Sequence, residues 1–263
     1  VIIPAEALVG REAILTAVDH HPFFRHTVPR HAPVRGWRHE GAVCWLLSSP
    51  QSTVCAAVGP PDAAVTLVAA LAEERTLDPG QWVHLPRRDP ATDRAGAVVA
   101  AYRDWDFLWT TGAPPPQPGE EHVVRLDAAD HPALTALIDA AFPTSTARPG
   151  DPRIVDWYGI RDGDRLIAAG ADRTRDEVGF LAGLVVCPTH RNQGLGAALT
   201  AGMTRALSRR YDMVALGVYP DNTGAIRLYR RLGYTGAFPL TSVRLPAPAD
   251  APADARAARQ AGR

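Results

Sequence analysis

The stretch best equipped for chemistry runs Gly183-Leu184-Val185-Val186-Cys187-Pro188-Thr189-His190-Arg191-Asn192-Gln193-Gly194-Leu195-Gly196-Ala197-Ala198-Leu199. An uncharged strand, 178–186, runs into a loop of the form Arg-x-x-Gly-x-Gly, and the loop opens a helix. The first amides of a helix lack internal partners and sit at the positive end of its dipole, which suits a diphosphate. Gly194 and Gly196 remove side chains where phosphate oxygens must approach the backbone, and Arg191 adds a full positive charge. Taken alone, the pattern fits a plain strand-to-helix turn equally well. Its spacing matches neither the Rossmann Gly-x-Gly-x-x-Gly nor a P-loop ending in Lys-Ser/Thr.

A second segment follows one helix and one strand further on: Asn222-Thr223-Gly224-Ala225-Ile226-Arg227-Leu228-Tyr229-Arg230-Arg231-Leu232-Gly233-Tyr234. With both segments in this order, the sequence resembles the GNAT superfamily of acyl-CoA-dependent N-acyltransferases over roughly residues 121–245. Val186-x-Pro188 with Arg191-x-x-Gly194-x-Gly196 resembles that family's pyrophosphate loop. Asn222, Ala225, Leu228-Tyr229 and Gly233-Tyr234 resemble its following helix.

The resemblance implies an α/β fold with a mixed, largely antiparallel central sheet flanked by helices. It also implies acetyl-CoA as the acyl-donor co-substrate, and no metal. Leu184, Val185 and Val186 would border the pantetheine arm, with Leu184 and Val186 offering backbone groups. Arg191, Asn192, Gln193, Gly194, Leu195, Gly196 and Ala197 would hold the pyrophosphate. Asn222 would hydrogen-bond near pantetheine, and Tyr229 would sit by the thioester sulfur as the acid. The implied reaction is direct attack of a neutral amine on the thioester. An N-acetyltransferase acting on a small-molecule amine leads; a peptide or protein amine, a longer acyl chain, and a non-catalytic acyl-CoA-binding module are the alternatives. Many relatives place a Glu on the strand before the loop, facing the acceptor. Here those positions are Phe180 and Ala182, which accept no proton. Glu177 and Asp172 stay open as bases acting through water, though a solvated surface charge suits each better.

These residues need a scaffold, and alternating strands and helices supply one. Residues 122–126 read as a strand and 132–141 as a helix with Asp130 at its N-cap. Residues 156–161 and 165–173 read as a hairpin around Asp162-Gly163-Asp164. Leu195, Leu199, Met203 and Leu207 recur at helical spacing in 194–208. A strand over 213–219, a helix over 222–232 and one or two strands over 234–245 complete this half. Before it, 11–18 and 62–74 read as helices and 41–47, 53–58 and 105–110 as strands. The order around 53–74 echoes the C-terminal half, so residues 1–112 read as a degenerate GNAT-like domain. Gly59-Pro60-Pro61 stands where a cofactor loop would be, and two prolines remove amide donors there. Residues 113–120 read as a proline-rich linker, 121–245 as the catalytic domain and 246–263 as a disordered tail, with a short helix at 254–260.

Lys+Arg and Asp+Glu both total 28 in 263 residues, which argues against a nucleic-acid partner. Without a signal peptide or an apolar run of ~18 residues, a cytoplasmic protein with no membrane partner is expected. Oligomeric state is not legible. Cys44, Cys55 and Cys187 lack paired spacing, and no His-Asp partnership is evident for Cys187 as a nucleophile. His190 either helps bind phosphate or is an exposed loop side chain. His20, His21, His26 and His31 cluster without carboxylate or Cys partners at ligand spacing. Trp105, Phe107 and Trp109 read as one face of a buried strand, and Arg87-Arg88 and Arg209-Arg210 as solvated charge pairs.

Overall fold

The computed structural model describes residues 4–49, 52–89 and 101–247. The expected tail, and the short helix within it, lie outside the described residues from 248 on. In chain order the elements are β1 (Glu6–Val9), α1 (Arg11–Ala17), α2 (Pro22–Thr27), β2 (Val34–His39), β3 (Ala42–Ser49), β4 (Ser52–Val58), α3 (Pro61–Glu73), β5 (Trp82–Pro86) and β6 (Ala101–Thr110). Then come β7 (Val124–Leu126), α4 (His131–Ala141), β8 (Asp156–Asp162), β9 (Arg165–Asp172), β10 (Gly179–Val186), α5 (Leu195–Leu207), β11 (Val214–Val218), α6 (Thr223–Arg231) and β12 (Gly236–Arg244).

Contacts divide the chain into two compact units that do not follow chain order. One contains residues up to Phe24, His31–Trp105 and the chain from Pro239; the other contains Arg25–Arg30 and Asp106–Phe238. Each unit repeats one pattern. In the first, β1-β2-β3-β4 pair antiparallel in sequence, β5 joins β4 parallel after the α3 crossover, and β12 joins β5 antiparallel. In the second, β7-β8-β9-β10 pair antiparallel, β11 joins β10 parallel after the α5 crossover, and β6 joins β11 antiparallel. The sixth strand of each set therefore comes from the other half of the sequence. The fold is mixed α/β and largely antiparallel, with a second, worn copy of the same pattern.

The α5 apolar stripe explains the second unit's core. Leu199, Met203 and Leu207 are buried with Leu134, Leu137 and Ile138 of α4 and with Trp157 and Ile160 of β8. Each such side chain contributes about 1.5–3 kcal/mol of burial. Tyr234 is fully buried, and its hydroxyl is satisfied by Thr204 Oγ1 at 2.7 Å, which itself bonds Thr200 O at 2.6 Å. In the first unit, Leu67, Val68 and Leu71 of α3 pack on Cys44, Cys55 and Val83. Cys44 and Cys55 are free thiols with sulfurs 3.9 Å apart, a proximity the sequence spacing concealed.

Several side chains do other work than expected. Asp130 occupies the α4 N-cap position but makes no side-chain cap bond; its carboxylate takes Asp127 N and pairs with Arg161. Asp127 instead accepts from Ala129 N at 2.8 Å. Arg87 is largely covered rather than solvated, whereas Arg210 is about half exposed. Arg87 donates to Trp105 O at 2.7 Å, and Arg210 donates to the fully buried Asp172 at 3.2 Å. His21 accepts from Phe23 N at the start of α2, and burial lowers its pKa to about 4.

Candidate functional site

The site begins where β10 and β11 part. Their parallel register runs Gly179↔Val214, Phe180↔Ala215 and Leu181↔Leu216, and goes no further. β10 continues to Val186 against β9 alone, through a bulge that sets Gly183 and Leu184 against Gly170. Gly183 has φ of 58°, a conformation that costs glycine nothing and a side chain about 1 kcal/mol. The bulge turns the strand away from β11 and leaves backbone groups beyond Leu181 without a parallel neighbour.

Below the bulge the chain enters the glycine loop. Asn192 and Gly194 are both left-handed, with φ of 63° and 82°. Gly194 is the N-cap of α5, and the first amides found bonded, Ala197 and Ala198, both donate to its carbonyl at 2.9 and 3.0 Å. The N–H groups of Leu195 and Gly196 thus precede the helical ladder and can serve an anion. A Cβ placed on Gly194 would meet nothing within 4 Å, so the loop faces open space. The equivalent turn of the first unit is closed: a Cβ on Gly59 would lie 2.4 Å from Gly41 O, and Pro60 and Pro61 follow.

A cleft of about 950 Å³ joins these parts. Leu184, Val185, Val186, Arg191, Asn192, Gly194, Leu195, Gly196, Ala197 and Asn222 all line it. Gln193 and Tyr229 do not. Asn222 caps α6, its Oδ1 accepting from Ala225 N at 3.2 Å, which leaves its amide NH2 to meet a ligand. Arg191 donates to Ala141 O at 3.4 Å, tying the loop to the end of α4. Tyr229 is the one buried residue of α6 and packs against Tyr234 with ring centroids 6.0 Å apart. Burial pushes its pKa up to about 12.

The cleft also uses residues that sequence reasoning passed over: Phe142, Tyr219, Asp221 and Arg231. Arg231 lies seven residues after Gly224 on α6, so helical spacing could have placed these two on one face.

Cys187 has more company than the sequence suggested. Its sulfur lies 3.3 Å from Thr189 Oγ1 and accepts from Arg165 Nη2 at 3.4 Å, while His190 Nε2 lies 3.8 Å from Asp162. Hydrogen bonding, chiefly from Thr189, lowers its pKa to about 7. The two carboxylates left open as bases are not solvated charges either. Asp172 is fully buried between Thr174 N and Arg210, and Glu177 is bridged by Arg25 at 3.0 Å and Arg30 at 2.9 Å. Phe180 is covered by His26, stacked at 4.2 Å between ring centroids.

Residues 157–244 match the family described as FR47-like protein. The chain is similar to a mycothiol acetyltransferase of Frankia casuarinae, 31% identical over 137 residues, which covers 49% of this chain and 38% of that protein. It is also similar to a mycothiol acetyltransferase of Thermobispora bispora, 48% identical over 69 residues, covering 26% of this chain and 22% of the other. The chain thus spans less than half the length of the curated relatives it matches. Among solved structures, a Novosphingobium aromaticivorans protein described as an acetyltransferase of the GNAT family superposes with TM-score 0.53 at 25% identity, covering 76% of this chain and 89% of that one. A GCN5-related N-acetyltransferase from Sphaerobacter thermophilus, 16% identical, shares the fold with TM-score 0.51 over 92% of this chain and 96% of the other.

Proposed function

We propose, for a chain that belongs to the GNAT superfamily of N-acyltransferases, that it moves an acetyl group from acetyl-CoA to the amine of a small molecule. The observation that carries this reading is the cleft in which a parted strand, an open glycine loop and the α6 N-terminus meet. The freed edge of β10 from Ala182 to Val186 matches the needs of an amide-rich pantetheine arm, which pairs as a strand would. The loop amides and Arg191 suit a pyrophosphate, and Arg231 adds a second cation on the cleft wall.

Bound acetyl-CoA supplies an activated thioester. The amine must arrive neutral, and Phe180 and Ala182 accept no proton from it. Asp172, buried and paired, is poorly placed to act. Tyr229 is the proposed acid. With a pKa of about 12 it is a far weaker acid than a thiol, whose pKa is about 8.5. It would therefore stabilise the leaving thiolate by donating a hydrogen bond rather than by surrendering its proton. Because Tyr229 does not line the cleft, this role needs α6 to open slightly around the ligand.

One active site is proposed, in 121–245, since the turn at Gly59 has neither space nor amides for a diphosphate. The residues before it serve as a structural partner. Among the described residues, no helix is long and apolar enough to cross a membrane; a cytoplasmic location is proposed.

Calorimetric titration with acetyl-CoA tests the donor site, alongside a Gly194→Glu/Gly196→Glu variant. Binding near one site per chain that the variant loses is expected. No binding by the intact protein would reduce the loop to a relic. Turnover on an amine panel then separates an enzyme from an acyl-CoA-binding module.

A further inference from the structure

The gap between β10 and β11 is closed on one face of the sheet by α5. There Leu199, Met203 and Leu207 are buried with Leu181, and a Cβ on Gly179 would lie 3.0 Å from Leu207. Strand alternation turns Phe180 and Ala182 to the opposite face, where both are partly exposed. The strand pairings extend that face. Ala215 lies beside Phe180, Trp109 lies opposite Ala215, and Phe107 lies opposite Gly217. Gly217 is exposed just past the last β10–β11 pair, at the mouth of the gap. An acceptor meets the gap from this side.

His26 brings an imidazole to the same face. Its ring stacks on Phe180 at 4.2 Å between centroids and lies 5.3 Å from the Phe107 ring. Phe107 and Phe180 are themselves stacked at 6.3 Å, so the three rings stand together over the strands beside the gap. At 9% exposure His26 is held in place by packing. Ion pairs on either side of it anchor the chain. Arg25 reaches Glu177 and Asp212, each at 3.0 Å, and Arg30 reaches Glu177 at 2.9 Å. Asp176 accepts from Arg30 N at 2.6 Å. These carboxylates are committed to arginines and backbone.

The strands offer no alternative base here. Phe107, Trp109, Phe180, Ala182 and Ala215 do not ionise, and Asp106, opposite Val218, alternates to the reverse face. Arg173, whose N–H donates to Phe180 O at 2.8 Å, is a cation and accepts no proton. Ala182, where β10 has left β11, lies about 7 Å along the strand from Phe180. One water spans that distance from the stacked ring.

We propose that His26 is the general base of the transfer, taking through a water the proton that an ammonium acceptor must lose at the gap. This rests on the acetyltransferase reading. The ammonium carries two protons more than the amide it becomes. One passes to the imidazole and on to solvent, which frees the nitrogen lone pair. The N–C bond then forms as the C–S bond breaks, and the second proton leaves with coenzyme A as its thiol.

The test uses the full chain, acetyl-CoA and two amines of one shape: 2-phenylethylamine, which suits the ring-lined face, and its less basic β,β-difluoro analogue. In the parent protein, the acidic limb of kcat/KM should fall at one pH for both amines, because it reports the protein's base. In His26→Phe, which keeps a ring in the stack, the limb should move with each amine's own basicity. At neutral pH, kcat/KM for 2-phenylethylamine should drop by about a hundredfold or more. Calorimetric binding of acetyl-CoA and an unchanged melting temperature show that the variant has folded, with His26→Asn as the second variant. A merely structural role would lower turnover without moving the limb. A parent limb that already follows amine basicity overturns the proposal without any variant. Turnover with an unmoved limb in either folded variant overturns the base and leaves the acetyltransferase reading standing. No turnover of either amine by the parent overturns that reading and the base with it.

Discussion

A Cβ on Gly183 would lie 2.7 Å from the Cβ of Ala147, so the β10 bulge and the segment after α4 meet only because Gly183 has no side chain. The positive φ of 58° and this contact act on one residue. Gly183→Ala should therefore cost about 2 kcal/mol, roughly half from the left-handed backbone and half from the contact. Denaturant unfolding would show it as a lower midpoint at unchanged slope. An unchanged midpoint would mean that the segment around Ala147 yields freely.

Gly194 and Gly196 separate backbone strain from ligand access. Gly194 has φ of 82° and open space around it, so Gly194→Ala should destabilise by about 1 kcal/mol through strain alone. Gly196 sits in the first turn of α5 without positive φ, and its Cβ would touch Leu228 at an ordinary 3.4 Å. Gly196→Ala should leave stability unchanged or raise it by up to ~0.5 kcal/mol. A weaker acetyl-CoA affinity in that variant, measured by calorimetry, would then report the methyl against the phosphates. An unaltered affinity would take Gly196 off the ligand's surface.

How much of this could be read from the residues depends on whether their cause is local. The helix N-terminus after Gly194, the α5 stripe and the Gly163 turn each have their reason within a few residues, and the sequence shows them. The strands β2 and β5 do not. Val34–His39 breaks its alternation at Gly36, and the reason lies elsewhere: Ile14 fills the space, 2.7 Å from where a Cβ would be. The six residues of α2 are too few to establish a helical period. Nor could spacing reveal that Arg25–Arg30 would pack with the second unit, or that β6 and β12 would each complete the other half's set of strands. At the site, the loop was legible, whereas the burial of Asp172 and Glu177 depends on long-range packing.

Asp172 provides a test of what that burial means. Arg210 is about half exposed and Thr174 N also holds the carboxylate, so Arg210→Met should cost about 2 kcal/mol, below the range for a fully buried pair. Asp172→Asn should likewise lower the unfolding midpoint but leave the shape of the pH–rate profile intact. If it erased the acidic limb of kcat/KM, Asp172 would be acting as a base through water, and its position facing α5 would not have excluded it.

The buried phenols set an alkaline limit on the fold. Burial raises the pKa of Tyr229 to about 12 and raises that of Tyr234 as well, against about 10 in the unfolded chain. Below pH 10 both states keep these protons, so the two tyrosines add no pH dependence. Above it only the unfolded chain releases them, and stability falls by about 1.4 kcal/mol per pH unit for each tyrosine until the folded pKa is reached. Phenolate absorbance followed beside circular dichroism should show these two ionising together with unfolding, after the more accessible tyrosines. Tyr229→Phe should make the decline with pH shallower by one proton. Complete phenol ionisation near pH 10, with the circular dichroism still native, would show that α6 opens readily enough to expose Tyr229. That opening is the motion its proposed role beside the thioester requires.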